Sequence, residues 1–521
     1  MATRGGEPRA WPHGGVSGDP HRPAPPGVRT AARLPQAPGS LPRGPILLTL
    51  LVLTIAMLGA SILASVPLTS AGVHLLNTAI PAAIALGFSG MALWLVTASP
   101  ALIWTPAVMF FAHLAVFRGL GPLVYVMGTE ATRAKVFSGV WGLSPEELLA
   151  THVLNLVGAV AVVAGIALVA LRVPRATRSA QFGARDVGVP AAAVTLLLTG
   201  ALVRYGVVIP VTFGVTENHL PGSVLKLRYL LDLGFALLAY LAATRRGTWV
   251  LVFWVLFPLH LFTLVLEFKK SAVVIGLMLP VLGAYLANGK LRPLVLRTLA
   301  IGCLIVMFHP TVKSARAEMT LLSGDAFGAT FSQRVEILQG LAFGGPGSAT
   351  EVMSAKPEQV GWIRLSYAAQ QAIAMGWYDA GAPQDTVSDA WKVFVPRMFW
   401  PDKPTFSELG RNFYIAVTGG DGALFGLTVF ADGYLNHGWG GVLAIGLLTG
   451  VFFGLTSHFA LRVVNRRDFA LLPAVFFAMD MALREMNSWI LTGIVGQIPF
   501  FLAYVGLVSL SRFAGRARQA G

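Results

Sequence analysis

The sequence predicts an all-α polytopic membrane protein. Three observations carry that prediction. Hydrophobic residues fill 55% of the 521 positions and charged residues only 12%, against about 25% charged in ordinary soluble domains. The mean hydropathy is +0.67. Apolar runs recur that can cross a ~30 Å hydrocarbon core, which takes ~20 helical residues. This composition excludes a soluble globular enzyme and a disordered chain. The net charge of +15 does not argue for nucleic acid as a partner, because excess Lys and Arg in a membrane protein gather in cytoplasmic loops. The single cysteine, Cys303, excludes an intramolecular disulfide and a cysteine-based metal site.

Residues 1–44 hold nine Pro, eight Gly and six Arg with few large apolar side chains. Such a segment buries too little to offset its ordering entropy, so a disordered cytoplasmic tail is expected. The run 45–66 is longer than the ~7–15 apolar residues of a secretory signal and reads as an uncleaved first span. Further spans are expected at 78–98, 101–117, 150–171, 187–211, 224–243, 248–266, 271–287 and 293–310. The last three fall at 438–461, 468–485 and 490–511, giving about twelve in all. With both termini in the cytoplasm, short-loop Lys and Arg favour the inside by 21 to 6, as the positive-inside rule asks. The chain thus divides into the tail 1–44, spans 1–9 over 45–310, an extracytoplasmic segment 311–422, a re-entrant segment with spans 10–12 over 423–511, and a cytoplasmic tail 512–521.

The segment 311–422 lies between spans 9 and 10 and is too long to be an idle loop. Residues 360–376 and 386–400 read as helices that lie on the membrane surface or half-buried, and Pro401 and Pro404 end the second. A compact helical cap is expected. After it, 423–464 is too long for one ordinary crossing, and two full crossings would reverse the C-terminal sidedness and put Arg462, Arg466 and Arg467 outside. A half-helix, 423–431, that dips into the outer leaflet and stops at Gly433 resolves this. Non-helical backbone at that depth must be buried in protein or line a wet cavity.

The cap carries Lys313, Arg316, Arg334, Arg364, Arg397, Lys403 and Arg411. Guanidinium forks match phosphate oxygens through paired charge-assisted hydrogen bonds, so this cluster suits a lipid-linked pyrophosphate held at the membrane surface. Solvated surface charge is the competing reading for each residue. Asp432 is a carboxylate at apparent membrane depth, a functional candidate by default and a potential general base, with helix-end capping as the alternative. Asp480, Arg484 and Glu485 read as a structural ion-pair group. His437, Arg204, Asp232 and His260 are weaker pointers. There is no GxxxxGK[ST] loop for ATP and no HExxH zinc motif. The first external segment, 67–77, has no Asp or Glu, against metal-dependent membrane glycosyltransferases that place acidic pairs there. No metal and no cofactor is expected.

Two stretches carry a resemblance. VFVPRMFWPDKPTFSELGRNFY (393–414), followed by LTVFADGYLNHGWGG (427–441), resembles the Wzy-type O-antigen and capsule repeat-unit polymerases. LEFKKSAVVIGLMLP (266–280) looks like the basic, small-residue start of a span in the same group. The resemblance implies a metal-independent, GT-C-like membrane glycosyltransferase of the cytoplasmic (inner) membrane with its cavity on the outer face. Its substrates would be polyprenyl-pyrophosphate-linked glycans. Arg397 and Lys403 match the basic positions and Asp432 the acidic one, where Glu is usual. Tyr434, Asn436 and Gly438 match the positions that follow. Asp432 and Arg397 are therefore the expected catalytic pair. Lys270, Arg316, Arg364, Lys403, Arg411, Tyr434 and Asn436 are the expected pyrophosphate- and glycan-binding residues. The resemblance leaves room for a chain-length regulator and a flippase as partners. A ligase of the same superfamily, which passes finished glycans to another acceptor, and a transporter of lipid-linked sugars remain open alternatives.

Overall fold

A computed structural model describes residues 40–64, 69–138, 142–173, 188–216, 222–245, 247–324, 328–343, 360–385, 395, 400, 412–417, 419 and 427–483. The described residues form an all-helical protein with ten helices long and apolar enough to cross a membrane. This is fewer than the twelve expected. Of the expected span 468–485, Phe469–Leu483 forms a shorter apolar helix, and 484–521 lies outside the described residues, as do residues 1–39 and all of the predicted helix 386–400 but 395 and 400.

The first nine crossings follow in order. They are α1 (Arg43–Ala64), α2 (Ser70–Ala98), α3 (Pro106–Leu114), α4 (Pro145–Arg172), α5 (Gly188–Val203), α6 (Tyr229–Arg245), α7 (Thr248–Leu266), α8 (Lys270–Asn288) and α9 (Leu291–Ser323). Two continue through π-helical turns, α3 through Ala115–Leu120 and α5 through Arg204–Val208. Beyond α9 come α10 (Phe331–Phe343), a single turn at Val360–Ile363 and α11 (Ala368–Asp379). The tenth crossing is α12 (Val429–Asn465), followed by the short α13 (Leu472–Leu483).

Local sequence sets the ends. Ser144 and Glu147 exchange side-chain and backbone hydrogen bonds, a reciprocal cap that starts α4 with Pro145 in its first turn. Gly289 and Gly324 close α8 and α9 in the left-handed conformation that glycine adopts freely. α2 begins at Ser70, eight residues earlier than the hydropathy run suggests, because Thr69 accepts from the Gly72 N–H and caps it.

Leu48, Leu51, Val52, Ile55 and Leu58 on α1, and Leu296, Leu299, Val306 and Met307 on α9, are exposed. On a soluble protein such faces would drive aggregation; on a membrane protein they meet lipid. Inside, small residues let helices touch. Gly446, Gly450 and Gly454 recur at four-residue spacing on α12 and meet Ala161, Val162 and Val169 of α4, the close packing expected between helices that share no hydrophobic drive in lipid.

α9 is the longest of the first nine. At ~1.5 Å per residue its 33 residues span about 50 Å, well beyond the hydrocarbon core. Lys313 and Arg316 lie on its last turns, beyond the apolar run that ends at 310. Within 311–422 the described residues are mostly helical. The expected helix 360–376 is broken into Val360–Ile363 and α11 by a turn at Leu365 and Ser366. A second expectation is corrected. The chain does not stop at Gly433; α12 continues helically through it, and the break falls at His437 (φ −145°) and Gly438 (φ +57°).

Candidate functional site

The first polar group gathers where α7 turns into α8. Phe268 occupies that turn with φ +47°, which L residues rarely adopt. The turn persists because its ring is fully buried with Val312, Ala315, Met319, Ala329 and Ile337 and because two arginines hold its backbone. Arg316 donates from Nε to the Phe268 carbonyl (3.1 Å). Arg334, fully buried, donates to the carbonyls of Leu266 (3.1 Å), Ala329 (2.7 Å) and Thr212 (3.2 Å) and lies over the Phe213 ring. The rigid turn presents Lys269 and Lys270. Lys270 contacts His309 of α9 and feels the charges of Arg316 and Arg364. His309 in turn feels Lys270, Arg364 and Lys313. Burial pulls the Lys269 ammonium below its ordinary pKa. Glu267 pulls it back up, and Arg228, Arg334 and Arg316 push it further down. Among the described residues, cations outnumber carboxylates in this group.

The second group sits at the break in α12. Thr428 caps the helix by accepting from the Ala431 N–H (3.3 Å), and its hydroxyl also accepts from Gln371 of α11 (3.0 Å). Gln371 and Asn155 of α4 pair their amides reciprocally (2.8 and 3.0 Å). Asp432 follows in the first turn, where the helix dipole favours a carboxylate, and is 3% exposed. Asn436 donates to its carbonyl (2.7 Å) and to its carboxylate (3.3 Å). Tyr434 donates to Asp379 (2.9 Å) and packs edge-on against Tyr378 and Trp439. The Leu435 carbonyl at the break accepts from the Gln384 N–H (3.1 Å). A Cβ on Gly438 would come within 2.9 Å of the Tyr378 ring, so position 438 needs glycine for its φ and for its neighbour.

The segment 364–367 runs between the two groups. Arg364 belongs to the first, and Tyr367 leads into α11. The Tyr367 ring lies 5.6 Å from the Arg118 guanidinium, which is also 6.0 Å from Phe430, two residues before Asp432. Arg118 is 1% exposed and sits in a π-helical turn, a distortion that often marks functional positions.

A third set lies within the spans. Arg204 pairs with Glu267, and Arg228 lies 3.8 Å from the other Glu267 oxygen. His260 bridges Asp232 (2.8 Å) and Tyr205 (3.1 Å). Lys226 reaches Asp480 at 3.1 Å, so the expected ion pair of Asp480 exists with a partner the sequence does not indicate; Arg484 and Glu485 lie outside the described residues. A cleft of about 510 Å³ between α1 and α2 is lined by apolar side chains and Thr49. It holds no ionisable group and offers no chemistry.

The structure therefore brings Lys270, Arg316 and Arg364 together, with Lys313, and places Asp432, Tyr434 and Asn436 around the α12 break. Arg397, Lys403 and Arg411 lie outside the described residues. Arg334 proves to be a clamp on a turn rather than an open cation. Asn436 is buried against Asp432. Lys269, His309, Glu267 and Asp379 are additions that sequence reasoning does not single out. KK at 269–270 is the available signal for the first, whereas His309 and Glu267 join the group only through tertiary packing. Comparison with protein-family models, curated proteins and solved structures finds no match for this chain.

Proposed function

We propose that this protein polymerises polyprenyl-pyrophosphate-linked oligosaccharide repeat units by glycosyl transfer on the outer face of the cytoplasmic membrane. The observation that carries the reading is the convergence of Lys270, Lys313, Arg316 and Arg364 beside the rigid α7–α8 turn. Cations fixed at one end of a set of spans suit a diphosphate whose lipid chain stays in the bilayer. In the reaction, a hydroxyl oxygen of one lipid-linked unit bonds to the anomeric carbon of the growing chain. The bond from that carbon to the pyrophosphate oxygen breaks, and the polyprenyl pyrophosphate leaves with the electron pair. The cations, with Arg397, Lys403 and Arg411, stabilise the charge that develops on it. Asp432 takes the hydroxyl proton, held in place by Asn436. The test is purified protein in lipid discs given lipid-linked repeats alone. Lengthened glycans in the wild type, lost in Asp432→Asn, support the reading. Glycans that stay at one repeat while being passed to a different acceptor would point to a ligase instead.

One observation favours a second reading. Buried Asp232 and His260 form a hydrogen-bonded chain with the exposed Tyr205 within the spans, the kind of relay used by proton-coupled transporters. Movement of labelled glycan lipid across vesicles, with no change in its length, would select that reading.

A further inference from the structure

We propose that Tyr378, Asp379, Tyr434, His437 and Trp439 form a subsite for a sugar ring of the acceptor glycan; this rests on the polymerase reading above. The break in α12 builds it. After Asn436 the chain leaves helical geometry at His437 and Gly438, which turns Trp439 back against Tyr434. The Tyr434 and Trp439 ring centroids are 5.1 Å apart at 89°, and those of Tyr378 and Tyr434 are 5.3 Å apart at 71°. Rings at right angles do not stack flat on one another. Trp439 keeps 41% of its surface open, and His437 and Asp379 are exposed beside it. Tyr434 reaches the Asp379 carboxylate at 2.9 Å.

This combination has a defined ligand chemistry. The C–H face of a pyranose lies on an aromatic face, and its equatorial hydroxyls donate to a carboxylate in charge-assisted bonds. A lipid surface asks for Trp at the headgroup level but not for an acid on the same platform. The subsite is also on the element that carries Asp432. Trp439 follows it by seven residues on α12, with Asn436, bonded to the Asp432 carboxylate, between them. A sugar seated on the platform would lie at the break that directly follows the turn carrying the base. The platform therefore binds acceptor, and the cation group holds donor.

The probe is the free oligosaccharide released by mild acid from the lipid-linked repeats of cells that make the protein. Its binding to the full-length protein in lipid discs is measured by equilibrium dialysis, beside the lengthening assay. Trp439→Ala should weaken binding by about tenfold, the scale of one ring contact. Trp439→Phe should stay within about threefold. In the lengthening assay Trp439→Ala should raise KM for the repeats and leave kcat nearly unchanged. Asp379→Asn should weaken oligosaccharide binding without touching affinity for polyprenyl pyrophosphate. If the wild type lengthens glycans while Trp439→Ala and Asp379→Asn bind and turn over normally, the subsite is refuted and the polymerase reading stands. The subsite is likewise refuted if Trp439→Ala only lowers the amount of protein in the membrane. If the oligosaccharide binds in a Trp439-dependent way but nothing is lengthened, the subsite stands as a sugar site and the polymerase reading falls. Absence of binding in the wild type refutes the subsite outright.

Discussion

The α7–α8 turn and the α12 break are both departures from helix at the edge of a membrane bundle, yet they are stabilised in opposite ways. The turn is held from outside. Phe268 adopts a positive φ without glycine because Arg316 and Arg334, from α9 and α10, grip its backbone and neighbours. The break is held largely from within α12 itself: Gly438 supplies the conformation, Gly433 packs against Gly441, and Asn436 folds back onto Asp432. The difference teaches where each chemistry can tolerate change. The cations depend on how α9 and α10 pack against the turn, whereas the acid depends on its own helix.

The strongest way to break this contrast is to disturb the ion pair beneath the turn. Glu267→Ala leaves Arg204 buried without its partner, and losing one half of such a pair costs about 3–5 kcal/mol. Thermal unfolding in detergent should show a large fall in Tm, while Asp432→Asn should leave Tm close to wild type. Equal losses would erase the distinction. Next, Arg316→Ala removes both a clamp on Phe268 and a cation of the site. It should cost roughly 2–4 kcal/mol in the transition state, or about 30- to 1,000-fold in kcat/KM, read from the rate of glycan lengthening. A smaller effect is expected for Asn436→Ala, which strips the Asp432 carboxylate of a donor worth about 1–3 kcal/mol. Its mark should be a shifted pH–rate profile with little change in Tm.

Much of this architecture is legible in the sequence. Uninterrupted apolar runs announce α4 through α8 within a few residues, because length and hydropathy are all that a lipid environment demands. Lys270, Arg316 and Arg364 are legible too, standing out by residue type and by their place outside the apolar runs. The position of the α12 break is not legible, for a physical reason. Gly433 looks like a stop, but a helical glycine opposite Gly441 is a close-packing device. What ends the helix is a positive φ, and sequence does not say which of several glycines adopts one. Arg334 misleads in the other direction: as a residue type it is indistinguishable from a phosphate ligand, and only its backbone carbonyl partners show that it is a clamp. Lys269, His309 and Glu267 come together across α7, α8 and α9, a juxtaposition that no local pattern encodes.

The smallest effect sharpens the comparison by pH. Burial sets the Lys269 pKa below the ordinary lysine value, which is about 10.4. The ammonium form binds anions, so affinity for pyrophosphate should hold below that depressed pKa and weaken as pH rises through it. Because the folded state disfavours the charged form, this residue's contribution to stability rises over the same window. Lys269→Arg should remove this residue's share of the titration of binding and leave lengthening at neutral pH nearly intact.

The central claim is that Lys270, Arg316 and Arg364 grip a diphosphate. The direct measurement is binding of polyprenyl pyrophosphate to the purified protein, wild type against Arg316→Ala/Arg364→Ala, across a salt series. The account predicts salt-sensitive binding in the wild type and an affinity lower by about 100-fold or more in the double variant. Equal affinities, with folding intact by Tm, would contradict it.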